Sequence, residues 1–153
     1  MAFLSSMNIV ASGMTAQQLR LDVVAENVTN STTTRTEAGG PYRRKMVVFQ
    51  SVAGRDDFRA AMARAVEGLT PNAGAPTAGG VRVTQIVEDP SPMKLVYDST
   101  HPDANEDGYV EMPNVDMVKE MTDAMAATQA YSANVTAFNT LKSVVAKGLE
   151  IGR

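Results

Sequence analysis

Acidic and amide side chains at alternate positions, followed by a glycine, open a calcium-binding loop, and Asp103-Ala104-Asn105-Glu106-Asp107-Gly108 has that form. The match stops there. Six residues after Gly108, where a closing Glu belongs, stands Asn114, and His101-Pro102 is a poor end for an entering helix. An Asx-rich turn between strands is the simpler reading, so neither a metal nor a cofactor is expected. His101 has Asp98 and Asp103 nearby, yet no nucleophile or second base completes a catalytic set, and no enzyme activity is expected. The run Tyr42-Arg43-Arg44-Lys45 places cations beside an aromatic. In an acidic chain it reads as a solvated strand edge or a charged subunit contact, not a nucleic-acid site. Glycosylation-like triplets begin at Asn27, Asn30 and Asn134. Two of them lie on or beside helical seams that a glycan would block.

Composition narrows the classes further. At 153 residues the chain fits one ordinary domain. Apolar residues make up 44%, but aromatics only 5% and Trp is absent, which argues against a large self-sufficient core. Ten Met residues point to adaptable packing surfaces. A formal net charge of -3 is the wrong sign for a general nucleic-acid binder. Zero Cys and one His leave no disulfide and no usual zinc set. No apolar run approaches the roughly 20 residues of a membrane helix, so direct membrane insertion is not expected. No Lys or Arg precedes Arg20, which leaves no basic n-region of a secretory signal.

The elements that must carry any function fall into three parts, an α+β arrangement. From Phe3 to Val28, the positions Phe3, Met7, Val10, Met14, Gln17, Leu21, Val24 and Val28 alternate steps of four and three. That is a heptad seam, apolar except at Gln17, and narrow as in a coiled coil. The polar run from Thr29 to Thr34 should end this helix by competing for backbone hydrogen bonds. The C-terminal part repeats the design at Met117, Met121, Ala124, Thr128, Tyr131, Val135, Phe138, Val145 and Leu149, interrupted by Lys142. Asn114 is the expected N-cap, with Asp116 and Glu120 adding negative charge near the helix start. The helix should be roughly 50 Å long.

Residues 37–113 should form a small β-rich unit between the two helices, after residues 1–36 and before 114–153. Met46 to Phe49, Val81 to Val87, Lys94 to Tyr97 and Tyr109 to Met112 read as strands, and Asp56 to Glu67 as a short amphipathic helix. Thr70 to Gly80 reads as a mobile loop, within an insertion at about 51–80. Burial of each seam residue in the N-terminal helix gives about 1.5 to 3 kcal/mol. Ordering its backbone costs about 1 to 2 kcal/mol per residue. Alone, the helix should fray; order must come with contact to the C-terminal helix or to another subunit.

Several stretches resemble the flagellar rod and hook proteins. They are Ser12 to Gln17, Ala25 to Asn30, Thr33 to Thr36, Gly39 to Arg44, Val87 to Pro92, His101 to Ala104, Gly108 to Val115, and Glu120-Met121 through Ala130 to Val135 to the final Arg153. On that resemblance Asn27, Asn30, Asn114, Tyr131 and Asn134 are signature residues, and the two seams are assembly interfaces. The resemblance implies a structural subunit of the proximal rod in the bacterial flagellar basal body. The rod crosses the periplasm, and its subunits arrive unfolded through the type III export apparatus. Terminal helices would line an inner tube that transmits motor torque, with the middle unit outward. Implied neighbours are other copies of the chain, the rod proteins FlgB, FlgF and FlgG, and the rod base protein FliE. The competing readings are a calcium-responsive binding module on Asp103 to Gly108 and a cytoplasmic coiled-coil adaptor, for which the same seams suffice.

Overall fold

The computed structural model describes residues 2–37, 39–53 and 78–151. A long helix α1, Ala2–Thr29, opens the chain. It ends where polar side chains capture the last backbone carbonyls: Thr29 Oγ1 donates to Ala25 O at 2.8 Å and Asn30 Nδ2 to Glu26 O at 3.0 Å. Strand β1, Lys45–Ala53, then pairs antiparallel with β2, Ala78–Glu88, from Lys45↔Glu88 to Ala53↔Ala78. A second antiparallel pair, β3, Lys94–Tyr97, and β4, Tyr109–Met112, forms a separate hairpin. The C-terminal helix α2, Met117–Ile151, has 35 residues, or about 50 Å. The architecture is α+β.

Two sequence expectations change. The first is the strand boundary. Ala78, Gly79 and Gly80 belong to β2, and β1 runs on to Ala53, so the strands reach into the stretch read as an insertion. The expected helix at Asp56 to Glu67 and the rest of that loop lie outside the described residues. The second is the cap of α2. Asp116 Oδ1 accepts from Val118 N–H at 3.0 Å, so Asp116 is the N-cap and Asn114 is not.

The segment from Asp103 to Gly108 is the turn of the β3–β4 hairpin. Asn105 Oδ1 accepts from the N–H groups of Asp107, at 3.1 Å, and Tyr109, at 2.8 Å, while Gly108 takes φ 78°. Tyr97 lies where a Cβ on residue 108 would come within 2.9 Å of its ring.

Helices α1 and α2 pack against one another, and three contacts set their direction. Asn27 meets Glu120, Arg20 meets Asp123 and Gly13 meets Asn134, so α2 runs antiparallel to α1. The β1–β2 hairpin lies along a different side of α1. Val81 N–H donates to Ser12 Oγ at 3.1 Å at one end, and Lys45 pairs with Glu26 at the other. The small core sits between these layers, with Ala16, Val23, Val24 and Ala127 buried; Tyr42, Val110 and Val115 are buried near the helix ends.

Candidate assembly interface

Where α1, α2 and β1 converge, the interior is polar. Asn27 is 1% exposed and uses all four of its hydrogen-bonding positions. Its Nδ2 donates to Lys45 O at 2.9 Å and Glu120 Oε2 at 3.0 Å. Its Oδ1 accepts from Tyr42 OH at 3.0 Å and Lys45 N–H at 2.9 Å. Glu120, at 0% exposed, takes Arg44 Nε on its other oxygen at 2.6 Å. Arg44 extends the network to Asp123 at 3.1 Å and Asp89 at 3.6 Å, and Arg20 meets Asp123 at 2.8 Å.

Burial works against the Arg44 cation, but the Glu120 hydrogen bond and the surrounding carboxylates outweigh it and raise its pKa. Burial also pushes the Tyr42 hydroxyl up to about 12, helped by the charges of Glu26, Glu120 and Glu88. Asn114 completes the clasp. Its Oδ1 accepts from Arg44 N–H at 2.8 Å, and its Nδ2 donates to the carbonyls of Asp89 and Ser91. Tyr42 and Arg44 are therefore interior residues, not a solvated strand edge.

The heptad positions divide between two rows. One row, Val10, Gln17 and Val24 on α1 and Ala124, Tyr131, Phe138 and Val145 on α2, is buried or half-buried in the chain. Phe3 belongs to it by spacing, but its side chain is outside the described residues. Met117, at the other end of the same row, is 42% exposed.

The second row is Met7, Met14, Leu21 and Val28 on α1, and Met121, Thr128, Val135 and Leu149 on α2. It is not the second contact row of the helix pair. The contact row lies one residue earlier, at Gly13, Arg20 and Asn27 against Glu120, Ala127 and Asn134. Small and polar residues there bring the backbones close: a Cβ on Gly13 would stand 3.0 Å from Asn134 Nδ2.

The displaced row occupies the flank of the pair. A shift of one residue is a rotation of about 100° around a helix. Because the helices are antiparallel, the displaced rows of α1 and α2 turn to the same flank, opposite the β1–β2 hairpin. On α2 Met121 is 59% exposed, Thr128 and Leu149 are exposed and Val135 is half-buried, and Met125 and Val118 stand beside Met121, also exposed. On α1 the row is half-buried.

Two family models match the chain. One, described as flagella basal body rod protein, covers residues 7–35; the other, described as flagellar basal body rod FlgEFG protein C-terminal, covers residues 106–151. Curated relatives cover nearly all of it. The flagellar basal-body rod protein FlgC of Bacillus subtilis is 47% identical, with 97% of each chain aligned. FlgC of Borreliella burgdorferi is 41% identical over 99% of this chain and 98% of its own. FlgC of Escherichia coli O157:H7 is 41% identical over the whole of both chains. The chain belongs to the FlgC family of flagellar basal-body rod proteins.

In this FlgC-family chain the residues that the resemblance marks as signature positions hold local geometry. Asn27 and Asn114 are the hubs of the polar clasp, Asn30 ties off α1, and Asn134 fills the space beside Gly13. Tyr131 is half-buried along α2. Glu120, Arg44 and Tyr42 join them, although periodicity could not single them out. The sequence signals are the cationic run beside Tyr42 and, on α2, Glu120 with Asp123 three positions on.

Proposed function

We propose that the chain is a structural subunit of the proximal rod and assembles through the flank formed by Met7, Met14, Leu21, Val28, Met121, Thr128, Val135 and Leu149. Helices of neighbouring copies seat there in coiled-coil fashion, with Met117 and the inner row supporting them. Membership of the FlgC family supports the setting. The exposed methionines on α2 support the surface, because unbranched thioethers adapt to helices presented by different neighbours. Those neighbours are other copies, FlgB, FlgF, FlgG and FliE, reached after passage through the type III export apparatus. Residues 37–113 form the outward unit. Torque passes along the tube through many closely packed side chains, whose low compressibility makes the contacts stiff.

Met121→Asp tests this. Met121 is exposed in the chain, so the substitution leaves the fold within about 0.5 kcal/mol. At an assembled interface it buries an unpaired carboxylate, which costs several kcal/mol. The variant should be produced, helical by circular dichroism, and absent from basal bodies, leaving cells non-motile. Normal rods and normal swimming would remove this surface from the interface. Val135→Asp should also block assembly, but Val135 is half-buried in the chain, so part of its effect falls on the fold. Val24→Asp should also abolish assembly, but it cannot separate assembly from folding, because Val24 is buried within the chain.

A further inference from the structure

Ten methionines stand in the chain. Among those whose side chains are described, Met7, Met14, Met46, Met93 and Met112 are half-buried. The exposed ones all lie on α2: Met117 at 42%, Met121 at 59% and Met125 at 66%. Steps of four residues hold these three thioethers on one stripe, about 12 Å long and about 80° wide around the helix. Leu or Ile would make an equally apolar stripe without sulfur. The hydroxyls beside the stripe are already committed, since Thr122 Oγ1 donates to Val118 O at 2.9 Å and Thr128 Oγ1 to Ala124 O at 2.8 Å.

We infer that Met117, Met121 and Met125 are oxidation sites that make assembly sensitive to peroxide: the free chain takes up oxygen at these sulfurs, and a chain carrying the sulfoxides is barred from the flank contact. The inference rests on the flank proposed above and adds its regulation. The thioether lone pair attacks one oxygen of hydrogen peroxide, an S–O bond forms and the O–O bond breaks. The departing hydroxide takes the proton of the transferred oxygen and leaves as water. Sulfur is oxidised by two electrons and the peroxide is reduced. A flexible apolar side chain becomes a polar one. Once buried, the sulfoxide oxygen needs a hydrogen-bond donor, and Thr122 and Thr128 have none to give. The oxidant reaches the exposed sulfurs first, so the methionines that pack within the chain are spared and the fold survives. The effect is reciprocal. Burying the stripe against a neighbour closes the sulfurs to oxidant, so a finished rod keeps its thioethers.

Purified full-length chain and isolated basal bodies are treated with hydrogen peroxide, and sulfoxide at each methionine is followed by peptide mass spectrometry. In the free chain the three α2 positions should oxidise at least tenfold faster than the half-buried ones, with the helical circular dichroism unchanged. In basal bodies the same three should be slowed at least tenfold. The consequence is read in cells that begin to produce the chain in the presence of peroxide. There the wild type should build at least tenfold fewer basal bodies than Met117→Leu/Met121→Leu/Met125→Leu, whose stripe stays apolar and has no sulfur. Without peroxide the two chains should build equal numbers.

Even oxidation of all methionines in the free chain, or equal rod formation by the two chains under peroxide, would overturn the inference. Should the triple variant build no rods without peroxide, Met117→Leu, Met121→Leu and Met125→Leu taken singly decide, and no gain in resistance from any of them is the contrary result. Slow oxidation in basal bodies together with equal rod formation under peroxide would overturn the oxidation block and leave the helix flank standing. Oxidation as fast in basal bodies as in the free chain would instead remove the flank, and this inference with it.

Discussion

Replacing Glu120 with Ala should cost more stability than any surface change on either helix. Glu120 is fully enclosed and holds Arg44 Nε at 2.6 Å and Asn27 Nδ2 at 3.0 Å. Removing one member of a buried ion pair costs about 3 to 5 kcal/mol, because the charge left behind has lost its partner. Here Arg44 keeps Asp123 and Asp89, and its side chain is 17% exposed, which moves the loss to the lower end, about 3 kcal/mol. For a chain of this size that lowers the melting temperature by about 6 to 12 °C. Urea unfolding followed by far-UV circular dichroism measures it, with Arg44→Ala and the double variant completing a cycle. The double variant should lose less than the sum of the singles, by roughly 2 kcal/mol. A loss below about 1 kcal/mol for Glu120→Ala, or strict additivity, would refute the clasp as the element that joins α1, α2 and β1.

Two further outcomes follow from the same packing. Gly80 has φ 109°, and a Cβ there would collide with Ser12 Oγ, so Gly80→Ala should destabilise the chain by about 1 to 3 kcal/mol. Thermal unfolding reads the loss, and an unchanged melting temperature would contradict the close approach of β2 to α1. Tyr42 should titrate near pH 12, visible in ultraviolet difference spectra. An unfolded tyrosine loses its proton near pH 10 while the folded one keeps it. Stability from this group is therefore full below about pH 10 and lost as pH rises toward 12; Tyr42→Phe should remove that alkaline dependence.

Among the described residues, the two terminal helices, the approximate places of the four strands and the end of α1 were legible, from unbroken periodicity, short β-prone runs such as Val81 to Val87, and the polar run Thr29 to Thr34. The inner row of the seam, where its side chains are described, is buried or half-buried in the chain, except at Met117. Which neighbouring row faces the partner helix was not legible. Periodicity ranks residues by hydrophobicity, and at the second row it favoured Met14, Leu21 and Val28 over Gly13, Arg20 and Asn27. Packing chose the latter because a glycine admits close approach and a fully bonded asparagine can be buried without penalty. Arg44 and Glu120 were hidden by distance, 76 residues apart in the chain, so a cationic run and a helix-terminal acid looked like separate surface features. By residue type Asn114 fits a helix cap and a clasp equally well; only the placement of Arg44, Asp89 and Ser91 around it separates the two roles.

A density map of the purified basal body, resolved to side chains, tests the assembly account most directly. The row from Met7 to Val28 and the methionines Met117 and Met121 should lie against helices of neighbouring subunits. If that flank instead faced solvent or the lumen, with subunits joined only through residues 37–113, the account of assembly through the terminal helices would be contradicted.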